Sequence, residues 1–183
     1  SGVGIVGANF TGAQFVNANL SGSEAMGATF LSANLTGADL SDSELVGVNL
    51  RGAIVGNSDF SDSQMFSADM RGASGANADF SDSSLIGANF SGASLPRANF
   101  QDAQLTGVSF QGASLRGANL RDADMRRANI RGADLAGATV TQGQISRACG
   151  DGGTVLPRGL RVNVCSGSAP TPPRPPRPPR PPR

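Results

Sequence analysis

The chain is 183 residues long and contains no His, Lys, Trp or Tyr. Those gaps exclude histidine acid–base pairs, Ser-His-Asp triads, lysine Schiff bases and histidine metal sites. The formal net charge of +1 hides a division: residues 1–95 hold 2 Arg and 9 acids, residues 96–183 hold 13 Arg and 5 acids. No apolar run approaches the roughly 20 residues of a membrane helix, so no transmembrane segment is expected. Two cysteines suffice for one disulfide but not for a zinc finger or a redox cluster. The composition argues against an enzyme and for a polar scaffold without cofactor, metal or small-molecule substrate.

Residues 1–145 repeat. Every fifth position from Ile5 to Ile145 carries a large apolar side chain, except Ala25 and Gly75. Two residues before each of these 29 positions stands a small one: 20 Ala, 5 Ser, 3 Val and 1 Gly. A period of five suits neither regular element. On a helix it advances about 500°, and the stripe winds around the axis; on a continuous strand it alternates faces. The pattern works if the chain turns a corner in every pentapeptide, with Ala18 and Leu20 both facing inward from one short strand. The corner then falls two residues after the large one, where a positive φ favours Gly, Asn or Asp. That position is Gly 15 times and Asn or Asp 8 times.

The units Ala33-Asn34-Leu35-Thr36-Gly37, Ala38-Asp39-Leu40-Ser41-Asp42 and Ala88-Asn89-Phe90-Ser91-Gly92 resemble the A(D/N)Lxx motif of the pentapeptide-repeat family, as does Ala133–Gly137. The resemblance covers residues 1–145. It implies an all-β, right-handed quadrilateral β-solenoid with four pentapeptides per 20-residue coil. Twenty-nine units then make about seven coils, a rod about 35 Å long at roughly 4.8 Å per coil. Folded at this period, Phe residues gather in two interior columns, such as Phe60, Phe80 and Phe100, which suggests stacked rings. Gly75 is expected to leave a void between Val55 and Leu95.

The same folding orders the outside. One face gains a carboxylate ladder: Asp39, Asp59 and Asp79 in one column, Asp42, Asp62, Asp82, Asp102 and Asp122 in the next. Asp suits a tight corner, and it equally offers a site for a cation, a basic partner or a basic segment of the same chain. Another column, Val6, Met26, Val46, Phe66 and Ile86, ends in Thr106 and Arg126 and predicts an apolar stripe about 19 Å long.

The register stops after Ile145, and residues 146–168 read as a closing segment over the last coil. Cys149 and Cys165 enclose a stretch rich in Gly turns; a disulfide between them would close the rod end and imply an oxidising compartment, with two free thiols the alternative. Residues 169–183 are a Pro/Arg tail. In polyproline II, with three residues per turn, Arg174, Arg177, Arg180 and Arg183 would share one edge; disorder is the alternative.

Three functions remain open. One is a non-enzymatic structural protein of bacterial origin, exported to the periplasm or beyond, that self-associates through solenoid ends or faces while its Arg-Pro tail docks on the Asp ladder. Ser1 in place of an initiator Met fits removal of a leader. A second is a DNA mimic that binds DNA gyrase, an activity the family resemblance implies for members with an acidic rod; the basic C-terminal half departs from that pattern. The third is a cation- or polyanion-binding module, with Ca²⁺ on the Asp ladder. Nucleic acid is the less favoured partner because no aromatics interleave the tail arginines. The favoured partner is a second copy of the chain.

Overall fold

The computed structural model describes residues 2–165. The chain winds so that residues twenty apart lie side by side in parallel. Gly4 bridges Glu24, Asn9 bridges Thr29, Gln14 bridges Asn34 and Asn19 bridges Asp39, and the register holds through Asn119 with Thr139. Each coil therefore has four sides, centred in the first coil on Asn9, Gln14, Asn19 and Glu24. A side is a minimal strand: one outward residue between two inward ones. At the third side the Leu20 N–H donates to the Asp39 carbonyl at 2.7 Å, and the Asp39 N–H donates to the Ala18 carbonyl at 2.9 Å.

The corners follow from the residue two after each large one. Where it is Gly its φ is 62–71°, and where it is Asn, Asp, Ser or Arg the φ is 53–58°. A short-range bond closes the turn, as from the Ala18 N–H to the Phe15 carbonyl at 3.0 Å. Side chains without the glycine's freedom adopt this geometry at a cost of about 1–2 kcal/mol, least for Asn and Asp, so the corner composition seen in the sequence has a backbone cause.

Inside, the small and large residues of each side interlock. From Ala25 to Leu135 the inward side chains are buried, Gly75 apart, whereas Ile5, Phe10, Phe15 and Leu20 of the first coil are only partly covered. Phe60, Phe80 and Phe100 stack with centroids 5.0 Å apart and planes within 8° of parallel. Phe90 meets Phe80 edge-on at 5.5 Å, so the two aromatic columns also lock across the rod. Gly75 departs from the backbone of the other inward positions. Its backbone closes onto the coil before it, at φ 153°, and an added Cβ would lie 2.6 Å from the Gly56 Cα and from the Val55 carbonyl carbon.

The ladder does not end where the pentapeptide register does. Cys149 bridges Asn129, Val155 bridges Asp134, and Val164 bridges Gly150. Between the last regular unit and these rungs lies a one-turn helix, α1 (Gln142–Ile145), started by a Thr141–Gln144 capping box. Ile145 is fully buried, and the Gln144 amide donates to the Leu120 and Ala123 carbonyls at 2.6 and 3.0 Å. Asp151 accepts from the Gly132 N–H at 2.9 Å. The last coil's exposed backbone groups thus find partners in the closing segment. Among the described residues no helix is long and apolar enough to cross a membrane.

Candidate interaction surfaces

The corner between the third and fourth sides is acidic. Asp42, Asp62, Asp82, Asp102 and Asp122 occupy its positive-φ position at 55–57° and are exposed. Asp39, Asp59 and Asp79 lie just before it. In each, Oδ1 accepts from both the N–H and the hydroxyl of Ser41, Ser61 or Ser81 at 2.6–3.0 Å. Beneath, Ser63 and Ser83 are buried and donate to the Phe60 and Phe80 carbonyls at 2.6 Å. The Ser-Asp-Ser tripeptides at 41–43, 61–63 and 81–83 are thus a local turn kit: one serine for the carboxylate outside, one for a carbonyl inside.

This turn does not need charge. Asn19 bonds Ser21, Asn34 bonds Thr36 and Asn89 bonds Ser91 through the same pair of contacts. Asn17, Asn57 and Asn77 hold the positive-φ position at 53–58° as readily as Asp does. Carboxylates stacked about 4.8 Å apart repel by about 0.9 kcal/mol per pair even in water. Asn would give the same turn without that repulsion. Glu24 and Glu44 on the fourth side enlarge the acidic region, so that it holds every acid of residues 1–95 except Asp69. These two glutamates are absent from the ladder read in the sequence, because that ladder followed only the columns flanking one apolar position.

None of the three ion pairs among the described residues uses this corner. Arg71 pairs with Asp69 at 2.6 Å, Arg116 with Asp134 at 2.7 Å and Arg126 with Asp124 at 2.6 Å. The Arg126 guanidinium holds the Asp124 carboxyl below its ordinary value against a smaller opposing effect of burial. At Asp69 burial pushes upward, and the combined bonds and charge of Arg71 outweigh it. Asp134 is lowered first by the Ala136 N–H and then by Arg116. Arg116, Arg121, Arg126 and Arg131 each open one of the four corners of a single coil, a basic belt near the closed end. Among the described residues no group of acids and cysteines could hold a metal ion.

The apolar column runs down the corner between the fourth and first sides. Val6 is 58% exposed, but Met26, Val46, Phe66 and Ile86 are half-buried rather than fully exposed. Each is flanked along the rod by its neighbours in the column, whereas among the described residues Val6 has a neighbour on one side alone. Cys149 and Cys165 are joined by a disulfide with Cα atoms 5.5 Å apart. Arg174, Arg177, Arg180 and Arg183 lie outside the described residues.

A twenty-residue, four-sided parallel coil with an Ala/Leu interior defines a repeat β-solenoid. The model for pentapeptide repeats matches residues 5–42, 43–74, 76–112 and 103–142 with 8 copies, and the chain belongs to that family. Such proteins are generally structural or binding modules. Among solved structures, a trypsin-treated form of QnrB1, a plasmid-mediated fluoroquinolone resistance protein, is similar at 20% identity, covering 88% of this chain and 90% of that one with a TM-score of 0.51. HetL, a pentapeptide repeat protein involved in heterocyst differentiation regulation from Nostoc sp. strain PCC 7120, is 26% identical over 83% of this chain and 89% of that one, with a TM-score of 0.32. No curated protein matches the chain by sequence.

Proposed function

We propose that this is a non-enzymatic assembly protein, exported to an oxidising compartment of a bacterium, in which the acidic corner receives the Arg-Pro tail of the same chain or of a neighbour. The observation that carries this reading is the carboxylate column itself: Asn makes the same turn bonds elsewhere in the rod, and no cation among the described residues pairs with the corner. The acids then answer to something outside the solenoid. Spacing favours the tail. In polyproline II an Arg every third residue recurs about every 9.3 Å, and two coils rise about 9.6 Å. Three arginines span about 19 Å, the length of the column from Asp42 to Asp122 at roughly 4.8 Å per coil, so three of the four can pair with it at once. Proline lowers the ordering cost, and tethering raises the effective concentration. Each exposed pair contributes only about 0–1 kcal/mol, so docking depends on several pairs acting together and weakens with salt. The Cys149–Cys165 disulfide supports the oxidising compartment.

A fluorophore at the C-terminus tests this. Its anisotropy should be high at low salt, fall as salt rises, and be low at every salt concentration in Asp62→Asn/Asp82→Asn/Asp102→Asn. Equal anisotropy in the triple variant would refute tail docking on the corner. Dilution separates the two forms, since only docking between chains is lost on dilution.

A second reading, a DNA mimic that binds DNA gyrase, draws on the same concentration of acids on one corner. The arginine belt opposes it. A supercoiling assay with no response at high protein concentration would remove it.

A further inference from the structure

Self-association, as proposed above, leaves open which surfaces meet. The corner between the fourth and first sides has a polarity that bears on this. Its first five coils carry Val6, Met26, Val46, Phe66 and Ile86, flanked on the fourth side by exposed Glu24 and Glu44. Its far end carries exposed Arg126, Arg127 and Arg147. Arg127 sits at φ 58° in a column whose six preceding members are Gly7, Gly27, Gly47, Ser67, Gly87 and Gly107. A long charged side chain there accepts backbone strain that glycine would avoid. Among the described residues Glu24, Glu44, Arg127 and Arg147 take part in no ion pair.

We infer that this corner is the contact between two copies of the chain, lying side by side and antiparallel about a two-fold axis near Phe66 and Ile86. In that arrangement the apolar middle of one rod covers that of the other. Glu24 of each copy then lies at the level of Arg126 and Arg127 of its mate, with Glu44 and Arg147 one coil to either side of that pair. Parallel pairing would set Glu24 against Glu24 and Arg127 against Arg127, which like-charge repulsion disfavours. A two-fold contact is self-complementary and closes at the dimer. The Asp42–Asp122 column, one side away, stays outside the seam and open to the tail, while Glu24 and Glu44 on the side between face the seam. The stripe is narrow and its side chains are already half-covered, so the contact falls below the standard interface size and the dimer is weak, with a dissociation constant of micromolar or above.

Sedimentation of the full chain at low salt should show a monomer–dimer equilibrium that Phe66→Asp weakens at least tenfold. Glu24→Arg or Arg127→Glu alone should each weaken it severalfold, and the two together should restore it; rescue excludes a folding defect as the cause. Spin labels locate the contact. Gly4 and Gln64 share one outward column, and a Cβ at Gly4 meets nothing within 4 Å. In the antiparallel dimer, labels at Gln64→Cys approach within about 20 Å, whereas those at Gly4→Cys stay about 30 Å apart or more, at roughly 4.8 Å per coil. A dimer with close Gly4 labels and distant Gln64 labels is an end-to-end assembly; it would overturn the side-by-side contact while leaving self-association intact. A dimer indifferent to Phe66→Asp and to the charge exchange would overturn it as well. A monomer at every concentration would overturn both.

Discussion

Replacing Asp39, Asp59 and Asp79 with Asn should stabilise the solenoid. Each Oδ1 accepts from a serine N–H and hydroxyl at 2.6–3.0 Å, and Asn19, Asn34 and Asn89 show that an amide oxygen makes the same bonds. The turn survives and only charge is lost. Three stacked carboxylates form two adjacent pairs about 4.8 Å apart, each repelling by about 0.9 kcal/mol at the dielectric constant of water. A screening length of about 8 Å at physiological ionic strength roughly halves that. The triple variant should therefore gain up to about 2 kcal/mol at low salt and about 1 kcal/mol at physiological salt. At about 2–4 °C per kcal/mol for a chain of this size, the midpoint rises by several degrees, and less as salt is added. Thermal melts of a chain ending at residue 168 measure this without the tail. A triple variant that melts lower than the parent at every salt concentration would show that the carboxylates hold the corner after all, and the case for an external partner would lose its basis.

The aromatic column predicts position-dependent core losses. Phe80→Ala, which empties a fully buried site between two stacked rings, should cost roughly 3–5 kcal/mol, and Phe10→Ala in the half-covered first coil clearly less; equal losses in denaturant titrations would contradict the nearest-neighbour picture. Gly75→Leu, which would fill the column if the sequence reading of a void were right, should instead destabilise by roughly 1–3 kcal/mol, because the backbone of Gly56 and Val55 occupies the space. The Arg126–Asp124 pair predicts a pH effect of known sign. Asp124 is lowered in the folded chain, chiefly by its bond to Arg126, so its contribution is present above the unfolded value of about 3.9 and lost as pH falls through the lower folded value. The stability gap between the parent and Arg126→Ala, small because the pair is exposed, should shrink over that acid range in denaturant titrations.

Much of this architecture was legible because a five-residue period admits few solutions. The inward Ala and Leu positions, the positive-φ corners at Gly12 or Asp62 and the 20-residue register all follow from spacing alone. What escaped was whatever depends on relaxation or on neighbouring columns. Gly75 reads as a hole in a string of letters, but its backbone turns so that an added Cβ would meet Val55 and Gly56 of the coil before it. The apolar stripe reads as exposed because Met26 and Phe66 point outward, yet stacking on coils above and below hides much of each. Glu44 stands only two residues after Asp42 and Glu24 one coil below it, but both sit on the next side, outside the two columns that flank the third apolar column, and a ladder read along those columns alone passes them by. The closing segment lost its period after Ile145, so the rungs at Cys149, Val155 and Val164 could not be anticipated from spacing.

The central claim, that the acidic corner exists for the basic tail, is tested most directly by paramagnetic broadening. A nitroxide at Ser61→Cys sits on the acidic corner, and one at Gln111→Cys sits on the corner diagonally opposite. At low salt the Ser61 label should broaden the signals of Arg174, Arg177, Arg180 and Arg183, the Gln111 label should leave them sharp, and added salt should abolish the difference. Broadening from Gln111 alone, equal broadening from both sites, or none from either would contradict the account.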